Sequence, residues 1–578
     1  MGRPVTTRPD RASRREGYAP GAAPAHPIEA VIPDSSLIGV PYRQDAPVPT
    51  LTLRTRRRHR RRTPLLPVLG CAALLSLLPA AAPAPQPAAP PAADQRVSAY
   101  LKAVEDRPAA LRAFFRDLPK GADLHNHLSG AASTELLIRL AGEDGLCVDE
   151  RTLTARPAPC GRHTRPATQA RTDAGFRRRI LRAWSMQDFP PGESGHDHFF
   201  GAFDKFRAVS DAHIGRLLAE VADTAARNHQ FYLETMVAPA ATGSEQLAAD
   251  VGFHPDLARL HRLLLADGKL DRLVRRAERE TDAALAEFRA AGECGTGHPH
   301  PGCRLPFRFI YQASRGSSPE RVFTQLALGM RLAERDPRFV AVNLVQPEDG
   351  ANALRDYRLQ MRMLNYLHGV YPRAHITLHA GELTAGLVGP SDLRFHIGEA
   401  VRTGRAERIG HGVDVAHEDH AAALLRTMAR RGIAVEVPLT SNRQILGVHG
   451  AEHPFPLYRR YGVPVVLSTD DPGISRTDIG EEYRYAARTY RLDYRELKDL
   501  ARASLDHAFL PGDSLWDTGR DGPRAFTPAG PCRGERPGTR APRQSCARFL
   551  ANSPKATLEW RQEAAFTRFA EHIRHLAP

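Results

Sequence analysis

From about residue 97 onward the chain alternates two hydrophobic rhythms. Short apolar runs rich in β-branched and aromatic residues recur at 121–127, 231–237, 307–313, 340–346, 376–381, 408–412, 433–438 and 465–469, and these read as strands. Between most of them apolar residues return every three or four positions, as at 216–227, 319–335 and 420–431, which predicts amphipathic helices. Eight strands alternating with helices predict an α/β fold, a (β/α)8 TIM barrel with loop insertions, better than an open doubly wound sheet. Residues 97–118 predict one or two lead-in helices, which either pack on the barrel or mediate a homodimer, and 556–575 predicts a closing amphipathic helix. No internal repeat is evident.

The first hundred residues break this rhythm. Residues 1–53 are polar and rich in Pro and Ala, and read as a disordered extension. A basic run, Arg54 to Arg62, then precedes an apolar stretch at 64–78 and the small residues Ala80, Ala81 and Ala82. A positive region, a short apolar core and an A-x-A-like site together describe a secretory signal peptide, with an uncleaved signal anchor as the rival reading of 54–82. The core is short for a membrane span of about 20 residues, and Pro64, Pro67 and Pro79 shorten any helix further. Val68-Leu69-Gly70-Cys71 resembles a lipoprotein box and Met1-Gly2 with Thr6 a myristoylation pattern, both on few residues. Residues 83–96 read as a Pro/Ala linker, so the fold is expected to fill 97–578, with inserts near 141–195, 286–304 and 511–550.

Charge adds less than it first promises. The net charge of +15 over 578 residues suggests a nucleic-acid partner. Yet residues 1–82 hold thirteen Arg and no Lys against five acidic residues, so over half of the excess lies in the leader. With no zinc-finger or RNA-recognition spacing, the expectation is no nucleic acid, and a membrane only through the N-terminal signal or anchor. Cysteine usage says more. Besides Cys71, six cysteines fall into neighbouring pairs, Cys147 with Cys160, Cys294 with Cys303 and Cys532 with Cys546, each bracketing a Pro-, Gly- or Arg-rich stretch. Local pairs beside a secretory signal point to three disulfide-closed loops in a periplasmic or extracellular compartment. His298 and His300 inside the middle pair leave a zinc site there as the alternative.

Polar residues gather where the strands end. Asp123-Leu-His125-Asn-His127 closes the first, His379-Ala-Gly-Glu382 the fifth, Arg408-Ile-Gly-His411-Gly412 the sixth, and Ser468-Thr-Asp470-Asp471-Pro472 the eighth. In a barrel of this kind the active site is built at those C-terminal strand ends. The strand period of two puts His125 and His127 on one side, where they can share one metal ion. His379 can add a third nitrogen and Asp470 a carboxylate oxygen, a set that suits one Zn²⁺ per chain with a position open for water.

LPKGADLHNHLSG, HAGE, RIGHG, EVPLTSN (436–442) and STDDP occur in the order found in the adenosine deaminase family of metal-dependent hydrolases, and the chain resembles that family over roughly residues 117–515. Cys147–Cys160, Trp184 and His198-Phe199-Phe200 also resemble the insert of its secreted growth-factor-like members. The resemblance implies zinc on His125, His127, His379 and Asp470, Glu382 near purine N1, His411 beside the attacking water and Asp471 against the purine ring edge. The chemistry accounts for these residue types. Zinc lowers the pKa of bound water, Glu382 must be protonated to donate to N1, and His411 can either accept the water proton or stabilise the developing oxyanion. Asp470 and Asp471 are adjacent and should face opposite ways, unless the chain bends before Pro472.

The recognition positions depart from the family. Ser129 stands where an Asp contacts the sugar, and Gln346 where a Gly lets the backbone approach the purine. The expected substrate is therefore adenosine or a closely related 6-aminopurine nucleoside. Another amidohydrolase-type reaction on the same barrel, or a non-catalytic secreted binding protein, are the competing readings. His196 and His198 read as loop or core residues, and Ser441 and Asn442 either support the site or cap a strand-to-loop turn. Residues 511–550 read as a solvated surface loop.

Overall fold

All eight expected strands form, and all run parallel. They are β1 (Ala122–Asp123), β2 (Tyr232–Val237), β3 (Phe307–Ser314), β4 (Phe339–Val345), β5 (His375–Ala380), β6 (Arg408–His411), β7 (Ala434–Val437) and β8 (Val465–Leu467), each paired with the next in sequence. The structure is a computed structural model and describes residues 92–189, 192–517 and 526–576. The signal or anchor, the N-terminal extension and the lipidation patterns lie outside the described residues. Those residues belong to one compact unit, Gln86–Pro578, and no described helix is long and apolar enough to cross a membrane.

No regular ladder joins β8 to β1. The barrel is closed instead by a bridge between Asn126 and Asp470, in which His127 N–H donates to Asp470 O and Asp470 N–H to His125 O, both at 2.9 Å. The seam of the fold is therefore made by the backbones of the predicted metal ligands.

The strand period of two sorts the side chains. In β5, Ile376, Leu378 and Ala380 pack outward into the main hydrophobic core, while Thr377 and His379 point into the barrel. In β7, Val435 and Val437 face out and Glu436 faces in. The interior carries charge, and around Arg408 it is paired. The buried Arg408 guanidinium bonds Glu234 at 2.6 Å and Glu436 at 2.5 Å and lies 3.7 Å from the ring centroid of Phe509, whose N–H in turn donates to Glu234. Arginine suits this position because its planar fork holds two carboxylates at once and cannot lose its proton.

The predicted helices appear as Ile214–Arg227, Pro319–Arg335 and Ala421–Arg431, with Pro319 at a first-turn position where its missing N–H costs nothing. The lead-in is two helices, Ala92–Val104 and Pro108–Asp117, broken at the residues before Pro108. The first starts inside the stretch read as linker, because Asp94 in its opening turn pairs with Lys498. Both pack on the barrel: Phe114 meets Phe569 of the last helix, Pro554–Leu576, at 5.2 Å.

Three disulfides form between the neighbouring cysteines, Cys147–Cys160, Cys294–Cys303 and Cys532–Cys546. With its two sulfurs bonded to each other, the 294–303 loop has no thiolate to offer a metal. The first insert builds a small antiparallel sheet, Ala155–Arg156, Cys147–Asp149 and Thr164–Pro166, and then the helix Gly195–Ser210. The last loop is less solvated than its composition predicts. Cys532 and Cys546 sit with Leu515, Trp516, Ala556 and Trp560 in a separate apolar cluster, so the disulfide staples a small core.

Candidate active site

The imidazoles of His125, His127 and His379 converge. His379 Nε2 lies 3.0 Å from His125 Nε2 and 3.1 Å from His127 Nε2, and Asp470 Oδ1 is 3.5 and 3.3 Å from the latter two nitrogens. What sits behind each ring decides the meaning of these distances. His125 Nδ1 is 2.7 Å from Glu436 Oε2, His379 Nδ1 3.0 Å from Asn343 Oδ1 and His127 Nδ1 3.3 Å from Gln312 Oε1. Each Nδ1 faces an oxygen that can only accept, so it carries the proton, and each Nε2 turns a lone pair inward. Three lone pairs and a carboxylate oxygen aimed at one point repel unless a cation lies between them. The donors fit a divalent ion of zinc type, and the oxygens behind the rings are the supports such ligands need.

The electrostatics point the same way. Burial holds His127 down to about 4 and His379 well below its usual value, so both are neutral, as ligands must be. Burial also opposes charge on His125, yet hydrogen bonds to Asp470 and Glu436 outweigh it and push that ring up to about 10, so a metal ion binding there takes the place of a proton on its Nε2. Asp470 is held below the ordinary carboxylate range despite burial, by the His125 hydrogen bond and the surrounding imidazoles. A metal ion supplies the positive charge these two carboxylates call for without protonating the other rings.

Glu382, His411 and Asp471 adjoin this cluster. Atoms of Glu382, His411 and Asp470 lie within 4.8 Å of one another, and His411 Nδ1 is 3.6 Å from Glu382 Oε1. Burial first, then the Asp470 and Glu348 carboxylates, raises the Glu382 pKa well above its usual value, so the side chain holds a proton. Burial and Asp470 do the same to Asp471. The predicted conflict between Asp470 and Asp471 is resolved by the backbone: β8 ends at Leu467, and Asp470 takes a left-handed φ of 61°, turning both carboxylates to the site. Asp471 packs so closely on Gly130 that a Cβ there would fall 1.9 Å from its Oδ1.

Gln346 and Ser129 stand apart from the cluster. Gln346, just beyond β4, has a φ of 83°, and its exposed side chain accepts a hydrogen bond from Gly316 N–H at 3.1 Å. Ser129 is half-buried on the four-residue helix Leu128–Ala131. His196 and His198 lie on the Gly195–Ser210 helix, where His196 pairs with Asp349 at 3.0 Å and His198 faces the Arg182 and Ser185 carbonyls. That helix comes close enough to Leu439–Leu446 that a Cβ on Gly195 would lie 2.0 Å from Gln444 O, and Met186 N–H bonds Ile474 O.

Ser441 and Asn442, which the sequence leaves between two roles, support the site. Ser441 Oγ donates to Asp470 Oδ2 at 2.6 Å, and the Asn442 amide contacts His411 Nδ1 at 2.8 Å. Sequence reading missed Gln312, Asn343, Glu436 and Glu348. Glu348 accepts from Glu382 N–H at 2.8 Å and Gly381 N–H at 3.2 Å and is itself held by His396 Nδ1 at 2.6 Å. The signal that could have found Glu436 is strand parity, an acid between two outward valines; the lone Glu348 carries no such signal.

Parallel barrel, strand-end cluster and a buried three-His, one-Asp metal-binding group together define a metal-dependent hydrolase. The sequence model of the adenosine deaminase family matches residues 189–516, more than half of the chain. An aminodeoxyfutalosine deaminase of Streptomyces coelicolor is 30% identical over 408 residues, which are 70% of this chain and 84% of that protein. An adenosine deaminase of Salmonella schwarzengrund is 40% identical over 140 residues, 24% of this chain and 39% of that protein's length. Among solved structures, the N6-methyl-AMP deaminase of Arabidopsis thaliana is similar over 69% of this chain and 94% of its own, at 20% identity and a TM-score of 0.46. The chain belongs to the adenosine deaminase family, and it is a deaminase-type hydrolase.

Proposed function

We propose that the protein hydrolyses adenosine, or a closely related 6-aminopurine nucleoside, to the 6-oxo product and ammonia, using one zinc ion held by His125, His127, His379 and Asp470. The observation that carries this reading is the convergence of three inward lone pairs on a carboxylate, beside a buried carboxylic acid that keeps its proton. A zinc ion held there would lower the pKa of a water toward about 7. The chain's own groups supply the rest. Glu382 gives its proton to purine N1, which removes aromatic stabilisation and opens C6 to attack. Glu348 fixes the Glu382 backbone, and its negative charge helps keep the Glu382 proton in place. His411 faces the attacking oxygen, and Asp471 reaches the ring edge. Every one of these groups is less than 10% exposed, so the charges act in a water-poor setting where they are strong.

A second reading names the substrate of the Streptomyces coelicolor relative, aminodeoxyfutalosine, and is favoured by that protein's coverage and by Ser129 and Gln346 at recognition positions. The three disulfides support export to an oxidising compartment. The test is ammonia release by zinc-loaded protein from a panel of 6-aminopurine nucleosides, with absorbance at about 265 nm following loss of the 6-amino group. No ammonia from any member would sink the proposal. Glu382→Gln should keep its zinc and lose turnover, and an active variant would remove Glu382 as the proton donor.

A further inference from the structure

His411 does not hang free in the site: it ends a chain of hydrogen bonds that begins at a helix. The helix Phe455–Arg460 leaves its first N–H groups without intrahelical partners, and Phe455 N–H donates to His453 Nδ1 at 3.0 Å. His453 is 2% exposed, and burial, with the nearby His411, drives its pKa down to about 3, so its ring is neutral. A neutral imidazole whose Nδ1 accepts must carry its one proton on Nε2. That Nε2 lies 2.8 Å from one arm of the Asn442 amide, and the other arm lies 2.8 Å from His411 Nδ1.

The two arms of an amide are alike in size, and their partners decide which is oxygen. With the NH2 toward His453, both His453 nitrogens would face donors, and one N–H would point at another. With the oxygen toward His453, every contact pairs a donor with an acceptor: Phe455 N–H to His453 Nδ1, His453 Nε2–H to the Asn442 oxygen, and the Asn442 NH2 to His411 Nδ1. His411 then accepts on Nδ1 and, when neutral, carries its proton on Nε2. That nitrogen is buried, has no hydrogen-bond partner among the described residues, and belongs to a ring 5.2 Å from that of His379.

We propose that His453, acting through Asn442, is a positioning residue that fixes the proton of His411 on Nε2, so that His411 meets the reacting oxygen as a hydrogen-bond donor. The proposal rests on the deaminase reading of the site, and it chooses between the two roles the sequence allows for His411. A ring holding a proton on Nε2 stabilises negative charge on the attacking and developing oxygens, and it has no lone pair there with which to take the water's proton. That proton leaves to solvent as the water ionises, the added hydroxyl's proton passes to the departing amine to give ammonia, and Glu382 is reprotonated from solvent. Asn442 sits in the Leu439–Leu446 helix, and His453 lies between the 3-10 turn Gly450–Glu452 and the helix Phe455–Arg460.

Neutron diffraction from deuterium-exchanged, zinc-loaded protein tests the relay without any substrate. Deuterium on Nε2 of both His411 and His453 is expected, and deuterium on His411 Nδ1 overturns the proposal. Kinetics gives a second test. Asn442→Asp presents oxygens to both rings and draws a proton onto His411 Nδ1, with neutron diffraction of the variant used to establish that Nε2 is then bare. It should lower kcat about 100–1,000-fold, the usual cost of an oxyanion donor, with zinc content intact; unchanged or raised kcat would mean that His411 is a base. Should that variant not fold, His453→Gln, which keeps an N–H toward Asn442, is compared with His453→Phe, which has none. The Gln variant should stay close to wild type while the Phe variant loses about 10–100-fold in kcat. Equal losses would reduce His453 to a helix cap and refute the relay. If the protein deaminates no aminopurine, the functional reading fails, while the deuterium positions still decide the relay.

Discussion

Ser441→Ala isolates one support of the metal-binding group. Ser441 Oγ donates to Asp470 Oδ2 at 2.6 Å in a site where Asp470 is 3% exposed and Ser441 1% exposed. That bond leaves Oδ1 as the oxygen facing His125 and His127. A hydrogen bond to a charged group contributes about 1.5–3 kcal/mol. Since about 1.4 kcal/mol is a tenfold change in an equilibrium constant, losing the bond should weaken zinc binding about 10–100-fold, the range seen when partners behind metal ligands are removed. The serine hydroxyl is small and its replacement leaves a void no larger than one atom, so the fold should persist. The assay is competition for zinc between the apo protein and a chromophoric chelator, with circular dichroism to confirm the fold. An unchanged affinity in a folded variant would refute the claim that this hydroxyl orients the ligand.

Three further outcomes are expected. Gly130→Ala pushes a methyl group to within 1.9 Å of Asp471 Oδ1, so Asp471 must turn away; zinc content should hold while KM rises, and an unchanged KM would separate Asp471 from substrate binding. Glu482 is fully buried and its pKa is raised to about 7 by desolvation. A raised folded-state pKa means the folded protein keeps a proton that the unfolded chain loses near pH 4.5, so stability falls by about 1.4 kcal/mol per pH unit between those values. Glu482→Gln should therefore raise Tm more at pH 8 than at pH 5, and parallel curves would show that this carboxyl does not titrate as described. Replacing both Cys294 and Cys303 by Ala opens a loop with a sequence separation of 9, which chain-entropy arguments value at about 2–3 kcal/mol, read as a lower midpoint in urea.

The barrel was legible because its signals are local and periodic. Eight apolar runs set off by helix-period stretches need no long-range information, and most boundaries fell within a few residues of the elements formed. The four clusters at strand ends were legible for the same reason, since each spans only a few residues. The supports of the site were harder to see because they are long-range. Glu436 meets His125 from two strands away across the β8–β1 seam, Asn343 reaches His379 from the neighbouring strand, and Arg408 is satisfied by acids from β2 and β7. A polar residue in a strand shows only that its face is inward; which partner waits there depends on strand order and register. The final loop misled by composition, because Pro, Gly and Arg outnumber the few Trp, Leu and Cys residues that build its core.

Backbone conformation at the barrel mouth explains why the recognition positions looked more altered than the catalytic ones. Gln346, Gly381, His411 and Asp470 follow or end β4, β5, β6 and β8, and all four have positive φ, at 83°, 75°, 64° and 61°. Such a conformation costs a non-glycine residue about 1–2 kcal/mol, and only Gly381 avoids it. At His411 and Asp470 the side chain justifies the strain by entering the site. At Gln346 it does not: the side chain turns to Gly316 N–H and stays exposed. The position thus keeps a glycine-like backbone course while carrying a larger residue, which argues that the course of the chain past the substrate matters there more than the absence of a side chain. On this reasoning Gln346→Gly should leave metal affinity alone and alter discrimination among 6-aminopurine nucleosides. Equal KM ratios for the variant and the parent protein would remove Gln346 from recognition.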